Sequence, residues 1–567
     1  MPTPTASDVV AEIVLPTDRS TASAQGRWVA LAVIGSLALT LVVYWLRLDD
    51  VAGACVDDGW YILLAKAIAS GQGYTLINSP SQGIVPIYPP GFPWLLSLVF
   101  RFTPNFPENI WLLKSVSIVA MLGVGVASYL FFKREGEWPH YIALIASLVV
   151  VTAPGFVFLA ASTVMSEPVF SLSQLLAVIT VERAVRQHSQ RASSLYILLG
   201  ALFASFAFLT RSIALVLIAA ALIYLLKERL WRLALIFSIS VAVCVSPWMI
   251  YSRLHAPTPA EKKEQGNYIV ESYGEQFWSK RAGVSTTGRI TVRDLPERVW
   301  KNLVDIFGRD IGGMFLPQLY RPATESGLEI IELGGSLGRV MLNMGAATGT
   351  IIFSLLISLI AVIGFIARCR TRVTLTELVV IFSLGMVVIW LGLFRFILPL
   401  MPFVMLYFVT GLKSVSRWFE KLWRKLYSAN HWAAPRIVIV CLLAFNAYDH
   451  FSYISAGRSS RANQMWLSDY DEQRELINWV TRELPHNAII ATSNPPLINL
   501  MTGHKTVGCN EPIKNLDYWQ RLGVRYLIYL ATSPVRDGDK IEKYSRVIYS
   551  SPSSCRVLEL YAEARTQ

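Results

Sequence analysis

Charged residues are scarce in this chain of 567 residues, because lysine, arginine, aspartate and glutamate together make up only 16% of it. A typical soluble domain carries about 25%. Hydrophobic residues account for 53%, and the mean hydropathy is +0.45. The apolar residues form runs close to the length of about 20 residues that a helix needs to cross a membrane. The scarcity of charge therefore excludes an ordinary soluble protein and predicts a polytopic α-helical membrane protein.

Several common functional signatures are also missing. The six cysteines form no Cys-x-x-Cys motif and no cysteine–histidine spacing typical of a metal site. A bridge between Cys509 and Cys555 is left open. The C-terminal region has no glycine-rich phosphate-binding loop, and basic residues do not interleave with stacking aromatics as they do in nucleic-acid-binding domains. We therefore expect no nucleic-acid partner.

Apolar runs of membrane-spanning length recur along the chain and predict about eleven transmembrane helices. They lie at residues 27–47, 109–132, 140–160, 169–186, 194–210, 212–227, 231–251, 341–367, 374–393, 396–412 and 436–455. The transmembrane domain is therefore predicted over residues 27–455, with large loops at 48–108 and 252–340. Residues 1–26 are rich in proline, threonine, serine and alanine, which predicts a disordered tail.

Basic residues are concentrated in alternate loops, such as Lys133 with Arg134 and Arg368 with Arg370. The positive-inside rule assigns such loops to the cytoplasm. We therefore expect the N-terminus in the cytoplasm, and the two large loops and the C-terminal region outside it. The net charge of +12 then reflects topology and contact with membrane lipids. The predicted outer regions lack an Asn-x-Ser/Thr sequon, which favours a prokaryotic cell and its inner (plasma) membrane.

The C-terminal residues 456–567 have the pattern of a small extracytoplasmic α/β domain. Helices are predicted over residues 469–484 and 516–522. Strands are predicted over residues 488–492, 525–530, 545–550 and 556–561, and residues 494–496 are interpreted as a turn. A structural or acceptor-docking role is favoured for this domain over a catalytic one.

Charged side chains lie at the predicted outer ends of the spans, where charge is otherwise rare. Asp57 and Asp58 follow the first span, Glu167 and Arg211 lie in two tight outer turns, and Arg395 lies between the ninth and tenth spans. Arginines at outer ends run against the positive-inside rule, so they need another explanation. Ionisable groups that face the interior of a helix bundle are candidate site residues.

These residue types suit a group transfer that releases a phosphate. A carboxylate can accept the proton of an acceptor hydroxyl as that hydroxyl attacks. Guanidinium groups match phosphate oxygens and stabilise the charge that develops on a phosphate leaving group. Outside the cytoplasm, where nucleotide sugars are absent, the expected activated donor is linked to a lipid. Its phosphate would lie at the membrane interface, near Arg211 and Arg395.

Each of these residues also has a structural alternative. Asp58 is an acceptable N-cap for a helix over residues 59–70, and Asp57 could be solvated. Glu167 could cap the span that follows it, and the two arginines could extend to lipid headgroups. The segment Tyr88-Pro89-Pro90-Gly91, which follows in the same outer loop as Asp57, could be only a stiff turn. Jointly these alternatives are weaker, because all of the features would have to fall on one face by coincidence.

The order of these motifs resembles the GT-C superfamily of membrane glycosyltransferases, and most of all the bacterial relatives of protein O-mannosyltransferases and of the lipid A aminoarabinose transferase. The residues that carry the resemblance are Asp57-Asp58, Tyr61, Ala65, Gly73-Tyr74, Tyr88-Pro89-Pro90-Gly91-Phe92-Pro93, Glu167, Thr210-Arg211, Arg395-Phe396-Ile397-Leu398-Pro399-Leu400-Met401-Pro402 and residues 471–503. The Trp-Trp-Asp motif of the oligosaccharyltransferase branch is absent, which argues against transfer of an oligosaccharide to asparagine.

The resemblance implies a polyprenyl-phosphate sugar donor and transfer with inversion at the anomeric carbon. It implies Asp57 as the first candidate for the general base, with Asp58 adjacent. Glu167 and Tyr88 would position the acceptor or a cation, whereas the two arginines would bind the donor phosphate. The acceptor, a glycan, a lipid or a protein, is left open. No cofactor is certain, and a divalent cation is left open because two aspartates and a glutamate alone do not form a ligand motif.

Two other functions remain as alternatives. One is a membrane transporter or lipid flippase, and the other is a catalytically inactive scaffold of the same fold. A transporter would place polar or broken helices near the middle of the membrane, often in repeated halves. In this chain the charges lie at the outer ends of the spans, and no internal repeat is evident. The sequence therefore favours the enzyme.

Overall fold

The computed structural model describes residues 24–281, 284–316, 347–390, 392–422, 432–461, 465–509, 512–530, 541–551 and 555–561. The predicted disordered tail lies outside the described residues up to residue 23. Residues 317–346, which belong to the predicted loop 252–340 and to the start of the predicted span 341–367, lie outside them as well.

Helices dominate the chain as far as Ser459, and we number them in chain order. They are α1 (Ala24–Arg47), α2 (Asp57–Ala69), α3 (Gly91–Phe102), α4 (Ile110–Glu135), α5 (His140–Val151), α6 (Pro154–Ala161), α7 (Glu167–Arg186), α8 (Gln190–Thr210), α9 (Leu215–Lys227), α10 (Trp231–Leu254), α11 (Pro259–Gln265), α12 (Tyr273–Phe277), α13 (Leu295–Asp305), α14 (Ile311–Phe315), α15 (Ala347–Thr371), α16 (Leu375–Ile389), α17 (Phe394–Ile397), α18 (Met401–Leu422) and α19 (Ala433–Ser459).

Every predicted span overlaps a helix, although residues 140–160 are divided between α5 and α6 and residues 341–346 lie outside the described residues. Within the described residues, 8 helices are long and apolar enough to cross a membrane, and α5 with α6 would form a ninth span that is bent by 52°. Two predicted spans correspond to shorter apolar helices, Ser212–Lys227 and Leu375–Ile389. The predicted multi-pass membrane fold is therefore confirmed.

The two ends of the helix bundle carry different side chains. Helix α7 runs from Glu167 at one end to Arg186 at the other. At the second end, Arg186 forms an ion pair with Glu135 at 2.7 Å, and Arg368 forms an ion pair with Glu377 at 2.8 Å. The basic loops that the sequence assigns to one side therefore meet at this end. The opposite end, which we call the site end, carries the candidate site residues.

Loop 48–108 contains two helices, α2 and α3. Helix α2 begins at Asp57, two residues earlier than the helix predicted over 59–70. Val56, which precedes it, has a φ of +62°. This conformation is rare for a β-branched residue, and such strain tends to occur at functional sites. The backbone at the start of α2 is thus held in an unusual form immediately before a candidate site residue.

The C-terminal part of the chain folds as a small α/β domain on the site end. Its elements are α20 (Met465–Glu483), β3 (Ile489–Thr492), α21 (Pro495–Thr502), β4 (Lys505–Gly508), α22 (Pro512–Leu522), β5 (Val524–Tyr529), β6 (Ser545–Ser550) and β7 (Arg556–Leu560). The strand order is β4-β3-β5-β7-β6, with β3 parallel to β4 and β5, and β7 antiparallel to its neighbours. A separate hairpin of β1 (Ser279–Arg281) and β2 (Val284–Arg289) lies in loop 252–340.

Two elements of this domain were missed in the sequence, namely α21 and β4. The interpretation of residues 494–496 as only a turn is wrong, because they begin a helix. Asn494 caps that helix, and Pro495 occupies its first turn, where proline is well tolerated because its missing N–H would have no helical partner. Cys509 and Cys555 are not joined by a disulfide, and the Cys509 side chain hydrogen-bonds Tyr529 instead.

Candidate active site

The candidate site centres on the carboxylate of Asp57, the first residue of α2. Its Oδ2 atom lies 2.6 Å from Nη1 of Arg395. Its Oδ1 atom accepts a hydrogen bond of 2.5 Å from the hydroxyl of Tyr88 and another from the hydroxyl of Tyr268. The structure thus brings together three residues that the sequence singled out, Asp57 and Tyr88 from loop 48–108 and Arg395 from α17, and adds Tyr268 from loop 252–340.

These contacts determine the protonation of the site. Burial raises the pKa of Asp57, but the charge of Arg395 and the hydroxyls of Tyr268 and Tyr88 outweigh it, so the pKa lies below its usual value. Burial raises the pKa of both tyrosines well above the usual range, so that both hydroxyls keep their protons and donate them in hydrogen bonds. Asp57 is therefore a carboxylate at neutral pH, and both of its oxygens are engaged.

Asp58 lies behind Asp57 and is fully buried. Its Oδ2 accepts a hydrogen bond from the N–H of Gly53 at 2.8 Å, and its Oδ1 accepts one from the N–H of Gly59 at 2.9 Å. Burial raises the pKa of Asp58 to about 6, although these two N–H groups lower it. Asp58 therefore holds the backbone on both sides of the start of α2. Its interpretation as the N-cap of a helix over residues 59–70 is wrong, since that helix already begins at Asp57.

A second ion pair lies beside the first. Arg211 Nη1 is 2.7 Å from Glu167 Oε1 and donates a hydrogen bond of 3.0 Å to Ser166 Oγ. Ser166 in turn donates to the hydroxyl of Tyr61, whose ring packs on Tyr88 with 4.9 Å between the ring centroids. Glu167 is fully buried behind Arg211. In this geometry Glu167 holds the arginine in place, and its predicted role in positioning an acceptor or a cation stays a prediction.

The two arginines share an aromatic neighbour. The guanidinium carbon of Arg211 lies 5.0 Å from the ring centroid of Phe396, and that of Arg395 lies 5.3 Å from it. These distances are within the range of a cation–π interaction. Phe396 therefore keeps the two positive charges at one wall of the site, although Arg211 follows α8 and Arg395 belongs to α17.

A cavity of about 1440 Å³ lies in front of these side chains. Asp57, Tyr88, Tyr268, Arg211 and Arg395 all line it. Its apolar lining includes Phe158, Leu159, Phe208, Leu215, Trp248 and Trp390. Loop 252–340 contributes charged groups, among them Lys262, Glu271, Lys280, Arg298, Lys301 and Arg309. The cavity can thus receive a ligand with an apolar part and a polar, charged part.

The carboxylates of the site do not form a cluster that resembles a metal site. Nowhere in the described ranges do three histidine, cysteine, aspartate or glutamate side chains come together as metal ligands would. Asp57 is engaged by a cation and two hydroxyls, and Asp58 by backbone N–H groups. The divalent cation that the sequence leaves open stays untested.

Comparison with known proteins finds one family model that matches part of the chain. Residues 88–251 match the model of the dolichyl-phosphate-mannose-protein mannosyltransferase family. No curated protein matches the sequence at a significant level. The matched segment contains Tyr88, Glu167 and Arg211 and excludes Asp57 and Arg395.

Solved structures are similar over nearly the whole chain. ArnT from Cupriavidus metallidurans bound to undecaprenyl phosphate has a TM-score of 0.53 and 14% identity, over 96% of this chain and 100% of that chain. The oligosaccharyltransferase of Archaeoglobus fulgidus, in complex with zinc and sulfate, has a TM-score of 0.51 and 12% identity, over 92% of this chain and 72% of that chain. At identities this low, the structural similarity shows a shared fold alone. The predicted resemblance is therefore confirmed, and the chain has the fold of the GT-C superfamily of membrane glycosyltransferases.

Proposed function

We propose that this protein transfers a sugar from a polyprenyl-phosphate donor to an acceptor on the extracytoplasmic face of the membrane. The observation that carries the proposal is that Asp57, Arg395 and Arg211 line one cavity. The family match, and a fold shared with a protein solved in complex with undecaprenyl phosphate, support this class of donor. The nature of the sugar and of the acceptor is left open.

The donor phosphate would bind Arg395 and Arg211. Both guanidinium groups line the same cavity and lie within 5.3 Å of the ring centroid of Phe396, so one wall of the cavity presents two positive charges to a phosphate. Charge-assisted hydrogen bonds from guanidinium to phosphate are among the stronger hydrogen bonds in proteins. Arg395 contacts Asp57 in this structure, so the phosphate would have to draw its guanidinium away from that carboxylate.

The polyprenyl chain would occupy the apolar part of the cavity. Leu215 and Met249 line the cavity and are 56% and 51% exposed at the surface of the bundle. Both belong to helices at the positions of predicted spans, so their exposed faces would contact lipid tails. This rim offers a path by which a lipid-linked donor could enter from the bilayer.

In the proposed reaction, the oxygen of an acceptor hydroxyl attacks the anomeric carbon while the bond from that carbon to the phosphate oxygen breaks. The electron pair of that bond stays on the phosphate, and the two arginines stabilise the charge. Asp57 takes the proton of the attacking hydroxyl. Because Arg395 and the hydroxyls of Tyr268 and Tyr88 lower the pKa of Asp57, transfer of Arg395 to the phosphate would raise that pKa and release Oδ2. Attack from the face opposite the phosphate would invert the anomeric configuration.

The proposed orientation follows from the two ends of the bundle. The basic residues meet at one end, as shown by the contacts of Arg186 and Arg368, and the positive-inside rule places this end in the cytoplasm. The site end and the α/β domain would then face the outside of the inner membrane. A lipid-linked donor is the form of activated sugar expected there.

The proposal is tested by incubating the purified protein in lipid vesicles with radiolabelled polyprenyl-phosphate sugars and a membrane extract that supplies acceptors. We expect transfer of label by the wild type and loss of transfer by Asp57→Asn, which keeps the size of the side chain and removes the base. Thermal unfolding of both proteins controls for folding. Transfer by Asp57→Asn at the wild-type rate would contradict the assignment of the base, and no transfer from any donor would contradict the proposed activity.

A further inference from the structure

The α/β domain contacts the three chain segments that converge on Asp57. The first segment leads into Asp57 itself, the second leads to Tyr88, and the third leads to Tyr268. None of these three residues is held in place only by the helix bundle. The contacts come from strand β4 and from the start of α21, the helix that follows β3.

The first contact is made by Asn494, the N-cap of α21. Its Nδ2 donates a hydrogen bond of 2.7 Å to the carbonyl oxygen of Gly53, while its Oδ1 accepts one of 3.3 Å from the N–H of Leu497. Gly53 is the residue whose N–H binds Asp58. A Cβ atom at Gly59 would lie 2.9 Å from Cγ of Pro496, so the first turn of α2 packs directly on α21.

The second and third contacts are made by β4. The N–H of Thr506 donates to the carbonyl oxygen of Asn78 at 2.8 Å, and Asn78 Nδ2 donates back to the carbonyl oxygen of Thr506 at 3.2 Å. A Cβ atom at Gly508 would lie only 1.6 Å from the carbonyl oxygen of Gln265, so the backbones touch there. Gln265 lies just before Tyr268, and Asn78 lies in the stretch that leads to Tyr88.

The second and third segments are also joined to each other. The N–H of Ile87 donates a hydrogen bond of 2.7 Å to the carbonyl oxygen of Ile269. This bond places Tyr88 beside Tyr268, with 3.3 Å between their hydroxyl oxygens. A displacement of either segment would therefore move both hydroxyls relative to the Asp57 carboxylate.

We propose that the α/β domain positions the general base, and that Asn494 is the positioning residue through which it fixes the start of α2. The inference rests on the proposed function. The physical reason is that proton transfer and attack depend steeply on geometry, so that a displacement of about 1 Å can cost about 100-fold in rate. The domain thereby affects the rate without contacting the reacting atoms.

Asn494→Ser tests the proposal because it separates two roles of one side chain. Serine is a good N-cap and keeps α21 capped, but its hydroxyl is too short to reach the carbonyl oxygen of Gly53. The matched control is Asn499→Ser in the same helix. Asn499 Nδ2 donates a hydrogen bond of 2.7 Å to the carbonyl oxygen of His504, which is itself part of the domain.

We expect Asn494→Ser to lower kcat about tenfold or more while the dissociation constant for undecaprenyl phosphate stays unchanged. We also expect the acidic limb of its pH–rate profile to move to higher pH, because a displaced Asp57 would lose the hydrogen bonds from Tyr268 and Tyr88, which lower its pKa, while Arg395 stays in place. Asn499→Ser should leave kcat and the pH profile as they are. A second test variant, Tyr470→Phe, removes the hydrogen bond to the carbonyl oxygen of Ala52 in the same loop and should lower kcat less.

An unchanged kcat in Asn494→Ser and Tyr470→Phe, measured with active wild type, would overturn this inference and leave the proposed function intact. An equal fall in Asn494→Ser and Asn499→Ser, without a shift of the pH profile, would also overturn it, since it would reveal only a loss of domain stability. Absence of transfer by the wild type itself would instead refute the proposed function, and this inference with it.

Discussion

Replacing Asp57 by asparagine should abolish transfer and, at the same time, tighten the binding of the donor phosphate. In the structure Asp57 Oδ2 is 2.6 Å from Arg395 Nη1, and both side chains are largely buried, with 9% and 18% exposure. The donor phosphate must compete with this internal carboxylate for the guanidinium. Asparagine removes the competing charge and keeps an oxygen that can accept from Tyr88 and Tyr268.

The expected size of the effect follows from the contact that is lost. A hydrogen bond that involves a charged group contributes about 1.5–3 kcal/mol. At 25 °C this corresponds to a change of about 10- to 150-fold in a dissociation constant. We therefore expect the Asp57→Asn protein to bind undecaprenyl phosphate at least about tenfold more tightly than the wild type. Calorimetry in nanodiscs at low ionic strength would measure both constants.

A second pair of proteins separates the release of Arg395 from simple repulsion between Asp57 and the phosphate. In an Arg395→Gln background no guanidinium can be released, so the further substitution Asp57→Asn should tighten binding little. Equal tightening in both backgrounds would refute the competition and leave general repulsion as the cause. Unchanged or weaker binding by Asp57→Asn alone would refute the reasoning altogether.

Three further predictions concern the other residues of the site. Arg211→Gln and Arg395→Gln should each weaken the binding of undecaprenyl phosphate by about tenfold or more, as measured by the same calorimetry; binding equal to wild type would remove that arginine from the phosphate site. Tyr268→Phe removes a hydrogen bond that lowers the pKa of Asp57, so the acidic limb of the pH–rate profile should move to higher pH; an unmoved limb would show that Tyr268 does not act on the base. The pKa of Asp58 is about 6 in the folded protein, compared with a usual value of 3.8. Asp58 therefore adds up to about 3 kcal/mol to the free energy of unfolding below about pH 4, and this contribution is lost as the pH rises to 6. The thermal midpoint of the wild type should fall across this range relative to that of Asp58→Asn, and parallel curves would contradict the raised pKa.

The fold class could be predicted because the membrane imposes a length on every apolar run. Even the short helices Ser212–Lys227 and Leu375–Ile389 were found from their apolar composition between basic or polar flanks. In the α/β domain, the strand over Ser545–Ser550 was predicted with its observed bounds because β-branched and aromatic residues mark it. Helix α21 was missed because two consecutive prolines suggest a turn, although proline also suits the first turn of a helix.

The candidate site was only partly accessible from the sequence. Arg211 and Arg395 stood out because they contradict the charge bias of the loops, and Asp57 because it follows a span. The choice between Asp57 and Asp58 could not be made from the sequence, since adjacent residues on a helix point in different directions. The structure shows that Asp58 is hydrogen-bonded to the backbone N–H groups of Gly53 and Gly59, whereas Asp57 faces the cavity. The role of Tyr268 could not be found, because it depends on the long-range path of loop 252–340.

The central claim, that this protein breaks the bond between a sugar and polyprenyl phosphate, is tested most directly by a single-turnover reaction on purified protein in vesicles. A doubly labelled donor carries one label in the sugar and another in the polyprenyl chain. The account predicts that one polyprenyl phosphate is released for each sugar that appears in the acceptor, with an inverted anomeric configuration, and that both products are lost in Asp57→Asn. Movement of the intact donor between leaflets, with both labels still on one molecule and no product formed, would contradict it and favour a flippase.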